Sequence, residues 1–166
     1  MKTRIIIFLL PVCLTCLQIK PVKSEPRRVL IEFCTGVWCG SCPCADSVIS
    51  NFILVQHPQT VVLAYHGWAN YSGDPMSFYR GNDILDLIGF QYYPSGIFDR
   101  QYGSPTYSWN FLDSCNSRYT QSPNTQVNLS VTAINFNPTT RVVNATISTT
   151  ALQTLNGIYR INFVIT

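Results

Sequence analysis

The chain has 166 residues, 46% hydrophobic and 11% charged, a balance that excludes a disordered polymer and suits one domain or a domain with a further fragment. Its formal charge of +3 belongs to the start: Lys2, Arg4, Lys20 and Lys23 all precede Glu25, and the rest carries 7 arginines against 8 acidic residues, a net of −1. That excludes a basic face for nucleic acid.

Residues 1–24 have the pattern of a secretory signal peptide. Lys2 and Arg4 form a charged start, Ile5 to Leu17 an apolar stretch, and Val22-Lys23-Ser24 a cleavage segment before Glu25. A retained N-terminal anchor is the other reading, and a lipoprotein signal lacks the usual small residue before Cys13 or Cys16. Removal of this segment leaves five cysteines, Cys34, Cys39, Cys42, Cys44 and Cys115, an odd count in an oxidising compartment. The spacing does not pair the three outside the 39–42 couple.

The run from Arg27 to Cys34 reads as a strand buried between helices, polar only at Glu32. Thr35 to Trp38 is a loop, and a helix follows from about Gly40 to Val55, because Ala45, Val48, Ile49, Phe52 and Ile53 recur at helical spacing. It ends before Pro58. Thr60 to His66 is a second apolar strand, parallel to the first across a right-handed crossover. Gly67 to Gly81 is a loop. Ile84 to Phe90 is a short helix, Tyr92 to Arg100 a proline-led strand, and Pro105 to Tyr119 a third helix.

Gln121 to Thr125 is a linker, so residues 25–121 form one domain and 122–166 begin another. Beyond the linker Val127, Leu129, Val131 and Ala133 alternate with polar residues, as do Val143, Ala145 and Ile147, and Tyr159, Ile161, Phe163 and Ile165. Asn135 to Pro138 and Asn156-Gly157 are the turns between three antiparallel strands. Three strands are too few for a closed sandwich, so the segment is read as an incomplete β domain.

The chemistry concentrates at Trp38-Cys39-Gly40-Ser41-Cys42-Pro43. A Cys-x-x-Cys between a buried strand and a helix start is a thiol–disulfide site: two intervening residues let the sulfurs meet, and the helix N-terminus favours a thiolate. Cys39 is the expected nucleophile and Cys42 the resolving thiol. A static structural disulfide and a four-thiolate zinc site from Cys34, Cys39, Cys42 and Cys44 are the alternatives. The second is disfavoured because structural zinc sites join two separated ligand pairs. Glu32 is either a buried proton acceptor for Cys42 or a solvated strand-end carboxylate. His66 and Trp68 either line the site or lie in an ordinary loop. Trp68, Tyr71, Tyr92 and Tyr93 are either a substrate surface or core. Asn70, Asn128 and Asn144 fit a glycosylation pattern by chance.

The strand before the motif, the motif itself and Tyr93-Pro94-Ser95-Gly96-Ile97-Phe98-Asp99 together resemble thioredoxin-like proteins. Ile31 to Pro43 is most similar to the outer-membrane-protein-28-related family, exported Gram-negative bacterial proteins with a thioredoxin-like domain followed by a β-sandwich region. The resemblance implies an α/β thioredoxin-like fold, a mixed central sheet flanked by helices, followed by a partial antiparallel β-sandwich segment. It implies that Cys39 attacks, Cys42 resolves, Trp38 is the aromatic before the site and Pro94 is a cis-proline. Such a proline turns the Tyr93 backbone towards an extended peptide. Glu32 matches the family's buried acid only with one extra residue before Trp38, and Gly-Ser replaces thioredoxin's Gly-Pro, so the redox poise does not carry over.

The function expected is an exported thiol–disulfide oxidoreductase acting on a protein or peptide disulfide, with an unspecified electron donor or acceptor and neither metal nor cofactor. The alternative is a non-catalytic envelope or cell-surface binding module on the same scaffold. Periplasm, outer membrane or cell surface is the expected location.

Overall fold

The computed structural model describes residues 25–67, 73–77, 81–101, 106–161 and 163. Residues 1–24, expected to be a signal peptide, lie outside the described residues, as do Trp68, Asn70, Tyr71 and Pro105. Strand β1 (Leu30–Thr35) leads into helix α1 (Cys42–Val48), which continues through a π-helical stretch, Ile49–Ile53, into α2 (Leu54–Gln56). Strand β2 (Val61–His66), helix α3 (Gly81–Ile88), strand β3 (Ser95–Phe98), strand β4 (Thr106–Tyr107) and helix α4 (Phe111–Gln121) follow.

The four strands form one mixed sheet in the order β2-β1-β3-β4. β2 runs parallel to β1, with Leu30 opposite Val61 and Thr35 opposite His66, while β3 is antiparallel to β1 with Cys34 opposite Ser95. Alternation along β1 divides the sheet's two faces. Ile31 and Phe33 join Ala45, Ile49, Ile53, Phe98, Phe111 and Cys115 in one buried core, under α1 and α4. Cys34 joins Tyr65, Leu85 and Phe90 in a second core under α3. Gly96 lets α4 approach the sheet: a Cβ there would stand 2.8 Å from the Phe111 ring.

Several elements differ from the sequence expectation. β1 begins at Leu30 rather than Arg27, because residues 25–27 run along the linker instead. Arg27 N donates to Pro123 O (3.0 Å) and Thr125 N to Glu25 O (3.0 Å). The third helix starts at Phe111, not Pro105. Tyr107 is extended (ψ 152°) and pairs with Ser95, and the turn Ser108–Asn110 separates it from α4. The free edge of β3 therefore captures residues whose spacing alone reads as helical.

Beyond the linker, β5 (Val127–Asn137) and β6 (Val142–Ala151) form a separate two-stranded antiparallel sheet. Their turn lies at 138–141, later than Asn135 to Pro138. The Asn137 side chain accepts the amides of Thr139 (2.9 Å) and Thr140 (3.0 Å), and Arg141 takes a positive φ of 54°. The register shifts between Val131 and Ala133, which takes Thr132 out of line. Val131 faces Ile147, Ile134 faces Ala145 and Phe136 faces Val143, so the shift keeps one face apolar and replaces Ala133 by Ile134 on it. Of the third expected strand, residues 159–161 and 163 are irregular, and Ile165 lies outside the described residues.

Candidate functional site

Cys39 and Cys42 are joined by a disulfide, with Cα atoms 5.4 Å apart. The loop between β1 and α1 makes this possible by folding tightly. Cys39 N donates to Gly36 O (3.0 Å) and Cys42 N to Cys39 O (3.2 Å). Ser41 is the helix cap and Pro43 occupies the first turn, where its missing N–H costs no helical bond. Both cysteines are largely covered, Cys39 at 8% and Cys42 at 3% exposure, while Gly40, Ser41 and Cys44 are exposed. Gly36 has a packing reason of its own: a Cβ there would meet the Trp38 indole at 2.6 Å.

Trp38, Tyr93 and Pro94 come together beside Cys39. Trp38, next to Cys39, packs edge-on against Tyr93 with ring centroids 4.8 Å apart. The Tyr93–Pro94 peptide is cis. The Tyr92 carbonyl under this turn accepts the Ser95 hydroxyl (2.7 Å) and the Cys34 thiol (3.1 Å). Burial pushes the Cys34 thiol up, although Ser95 partly opposes it. Burial, and then the neighbouring Cys34, raise the Tyr93 phenol. Cys34 therefore serves as a donor holding the turn.

Glu32 is fully buried, which corrects the reading of a solvated strand-end carboxylate. Its Oε2 accepts Arg100 Nε (2.7 Å), and its Oε1 accepts both Arg100 Nη2 and the Tyr65 hydroxyl (2.7 Å each). These partners occupy both oxygens, and α1 packs against the opposite face of the sheet, where Ile31 and Phe33 point. Among the described residues its partners are Arg100 and Tyr65 rather than Cys42, and the visible role is a buried ion pair. Burial and then the Glu32 hydrogen bond push Tyr65 up to about 12, and the Glu32 hydrogen bonds raise Arg100 further. Asp99 and Arg100 both take positive φ, which turns Arg100 back towards Glu32 and lets Asp99 accept from Leu30 N, Arg27 and Arg118.

Sequence reasoning missed Asp74. Its buried carboxylate accepts His66 Nδ1 (2.9 Å), Val37 N (2.9 Å) and Met76 N (2.9 Å). Burial alone would raise it, but His66 and the two backbone amides outweigh that and hold the carboxyl below the usual range. His66, the last residue of β2, is thereby linked through Asp74 to the loop two residues before Cys39. The pair lies eight residues apart in a Gly- and Ser-rich loop, where no periodic pattern marks a partner.

Of the aromatic set, Tyr93 faces Trp38, whereas Tyr92 stacks on Tyr107 (4.2 Å). Cys115 lies in the core, its thiol pushed up to about 11 by burial. Among the described residues no three His, Cys, Asp or Glu side chains group around a metal position, and no helix is long and apolar enough to cross a membrane.

No family model and no curated protein matches the chain. Among solved structures it is similar to the crystal structure of a protein from Agrobacterium tumefaciens, at 22% identity and a TM-score of 0.48, covering 69% of this chain and 54% of that one. The chain thus spans about half the length of that protein.

Proposed function

We propose that this is a thioredoxin-like thiol–disulfide oxidoreductase, exported under the direction of residues 1–24, with residues 25–121 as the redox domain. The observation that carries the reading is the Cys39–Cys42 disulfide ahead of a continuous helical run, its neighbour Trp38 packed on the residue that forms the cis peptide with Pro94. In the dithiol form the Cys39 thiolate attacks a substrate disulfide. A Cys39–substrate bond forms, the substrate bond breaks, and one substrate thiolate leaves and takes up a proton. Cys42, losing its proton to solvent, then attacks the Cys39 sulfur, restores the Cys39–Cys42 bond and releases the second substrate thiol. Two electrons pass from the protein to the substrate, and a dithiol donor must return them. The direction depends on the reduction potentials of the two couples.

The experiment is reduction of a protein disulfide by the dithiol form. Cys39→Ser should abolish turnover, and Cys42→Ser should trap the mixed disulfide. Undiminished activity of Cys39→Ser would contradict the mechanism.

The low exposure of both cysteines favours a second reading, a non-catalytic envelope or surface scaffold with a protected structural bond. That reading expects a 39–42 bond that resists mild reductant.

A further inference from the structure

Tyr92, Tyr107 and Trp109 form an aromatic ladder at the surface. Tyr92 and Tyr107 stack with centroids 4.2 Å apart; Tyr107 and Trp109 stack at 4.5 Å with planes 6° from parallel. Core packing does not account for it, because Tyr107 is 46% and Trp109 70% exposed. Stacked rings left in water are apolar area with a rigid shape, well suited to receiving another flat group.

The ladder is tied to the candidate site at both ends. Tyr92 precedes Tyr93, whose ring lies on Trp38 beside Cys39. At the other end the turn Ser108–Asn110, which carries Trp109, lies against α1, the helix that Cys42 begins. A polypeptide held near the disulfide is therefore within reach of these rings through its neighbouring side chains.

Charge selects the kind of side chain. Asp113 follows Trp109 by four residues and Asp46 lies on α1, and both are exposed. Neither α1 nor residues 106–117 include a Lys, Arg or His. An indole with carboxylates on the adjoining elements and no cation on them complements a flat cation. A guanidinium stacks on an aromatic face and keeps its N–H groups for carboxylates, which a compact ammonium does less well. We propose that Trp109, backed by Tyr107, is a docking platform for an arginine side chain of a partner polypeptide. Resting on the exchange reading above, that arginine lies close in sequence to the cystine offered to Cys39.

The test uses the whole chain and two cysteine-free Gly/Ser/Ala host peptides, one with a central arginine and one with the neutral isostere citrulline. Binding is followed by the chemical shift of the Trp109 indole N–H. The arginine peptide should bind about fivefold tighter, the size of a partly exposed cation–π contact. Trp109→Ala should remove that preference, followed on the amide of Asn110, and Asp113→Asn should reduce it by about half. Equal binding of the two peptides, or a preference that survives Trp109→Ala, overturns the proposal. Cystine-bearing versions of both peptides separate it from the exchange reading. Turnover of the arginine version about fivefold above the citrulline version supports both. A chain that turns over neither peptide, yet prefers arginine in the titration, contradicts exchange and keeps the platform.

Discussion

Ile31, Phe33 and Ile53 lie in a core covered on every side, whereas Val131, Ile134, Phe136 and Val143, equally apolar, stand 41–69% exposed on β5 and β6. Both groups follow the periodicity of their elements. The difference is what lies above them. β1 has α1 and α4 on one face and α3 on the other, while the apolar face of the β5–β6 pair has no covering layer among the described residues. Periodicity reports which side chains share a face; burial needs a second layer, and only burial stabilises.

That contrast can be tested by substitution, beginning with the largest expected effect. Phe111→Ala removes the ring packed over Gly96 and between Phe33 and Phe98, and should cost about 3–5 kcal/mol in a denaturant titration. Arg100→Ala leaves the Glu32 carboxylate buried without its cation and should cost a similar amount, roughly 3–5 kcal/mol. A loss below about 1 kcal/mol at either place would mean that the closed core is less consequential than its geometry suggests.

Asp74→Asn should cost about 1–3 kcal/mol at neutral pH, since the carboxylate accepts three hydrogen bonds. Its folded pKa lies below the unfolded value near 3.9, so the contribution is present above that pH and lost as pH falls through the folded value. The wild-type chain should therefore lose stability more steeply than Asp74→Asn below about pH 4. Identical acid limbs would remove Asp74 from the loop's support. Smallest of all, Ile134→Ala on the open face should change stability by no more than about 0.5 kcal/mol. A loss of several kcal/mol would reveal a cover over β5 and β6.

The same physics explains what the sequence made legible. Buried strands and amphipathic helices announce themselves by period, so β1, β2, α1 and the α3 region are legible to within a few residues. Cys39 and Cys42 were marked by their spacing at a strand-to-helix junction. The β5–β6 shift at Thr132 is hidden, because alternation continues plausibly through Ala133 and only pairing with β6 places Ile134 on the apolar face. Tyr107 and Trp109 read as helix because their spacing to Phe111 and Cys115 is compatible with one; the open edge of β3 decides otherwise. Asp74 and Arg100 act through long-range contacts, across 37 residues to Val37 and 68 residues to Glu32, which local patterns do not encode.

The most direct measurement is an equilibrium redox titration of the Cys39–Cys42 couple in the folded chain, read by thiol labelling. An exchanging dithiol should be half oxidised at a potential between about −270 and −120 mV, the span of proteins that perform this chemistry. A couple that stays oxidised below about −300 mV would contradict catalysis and leave a protected structural bond.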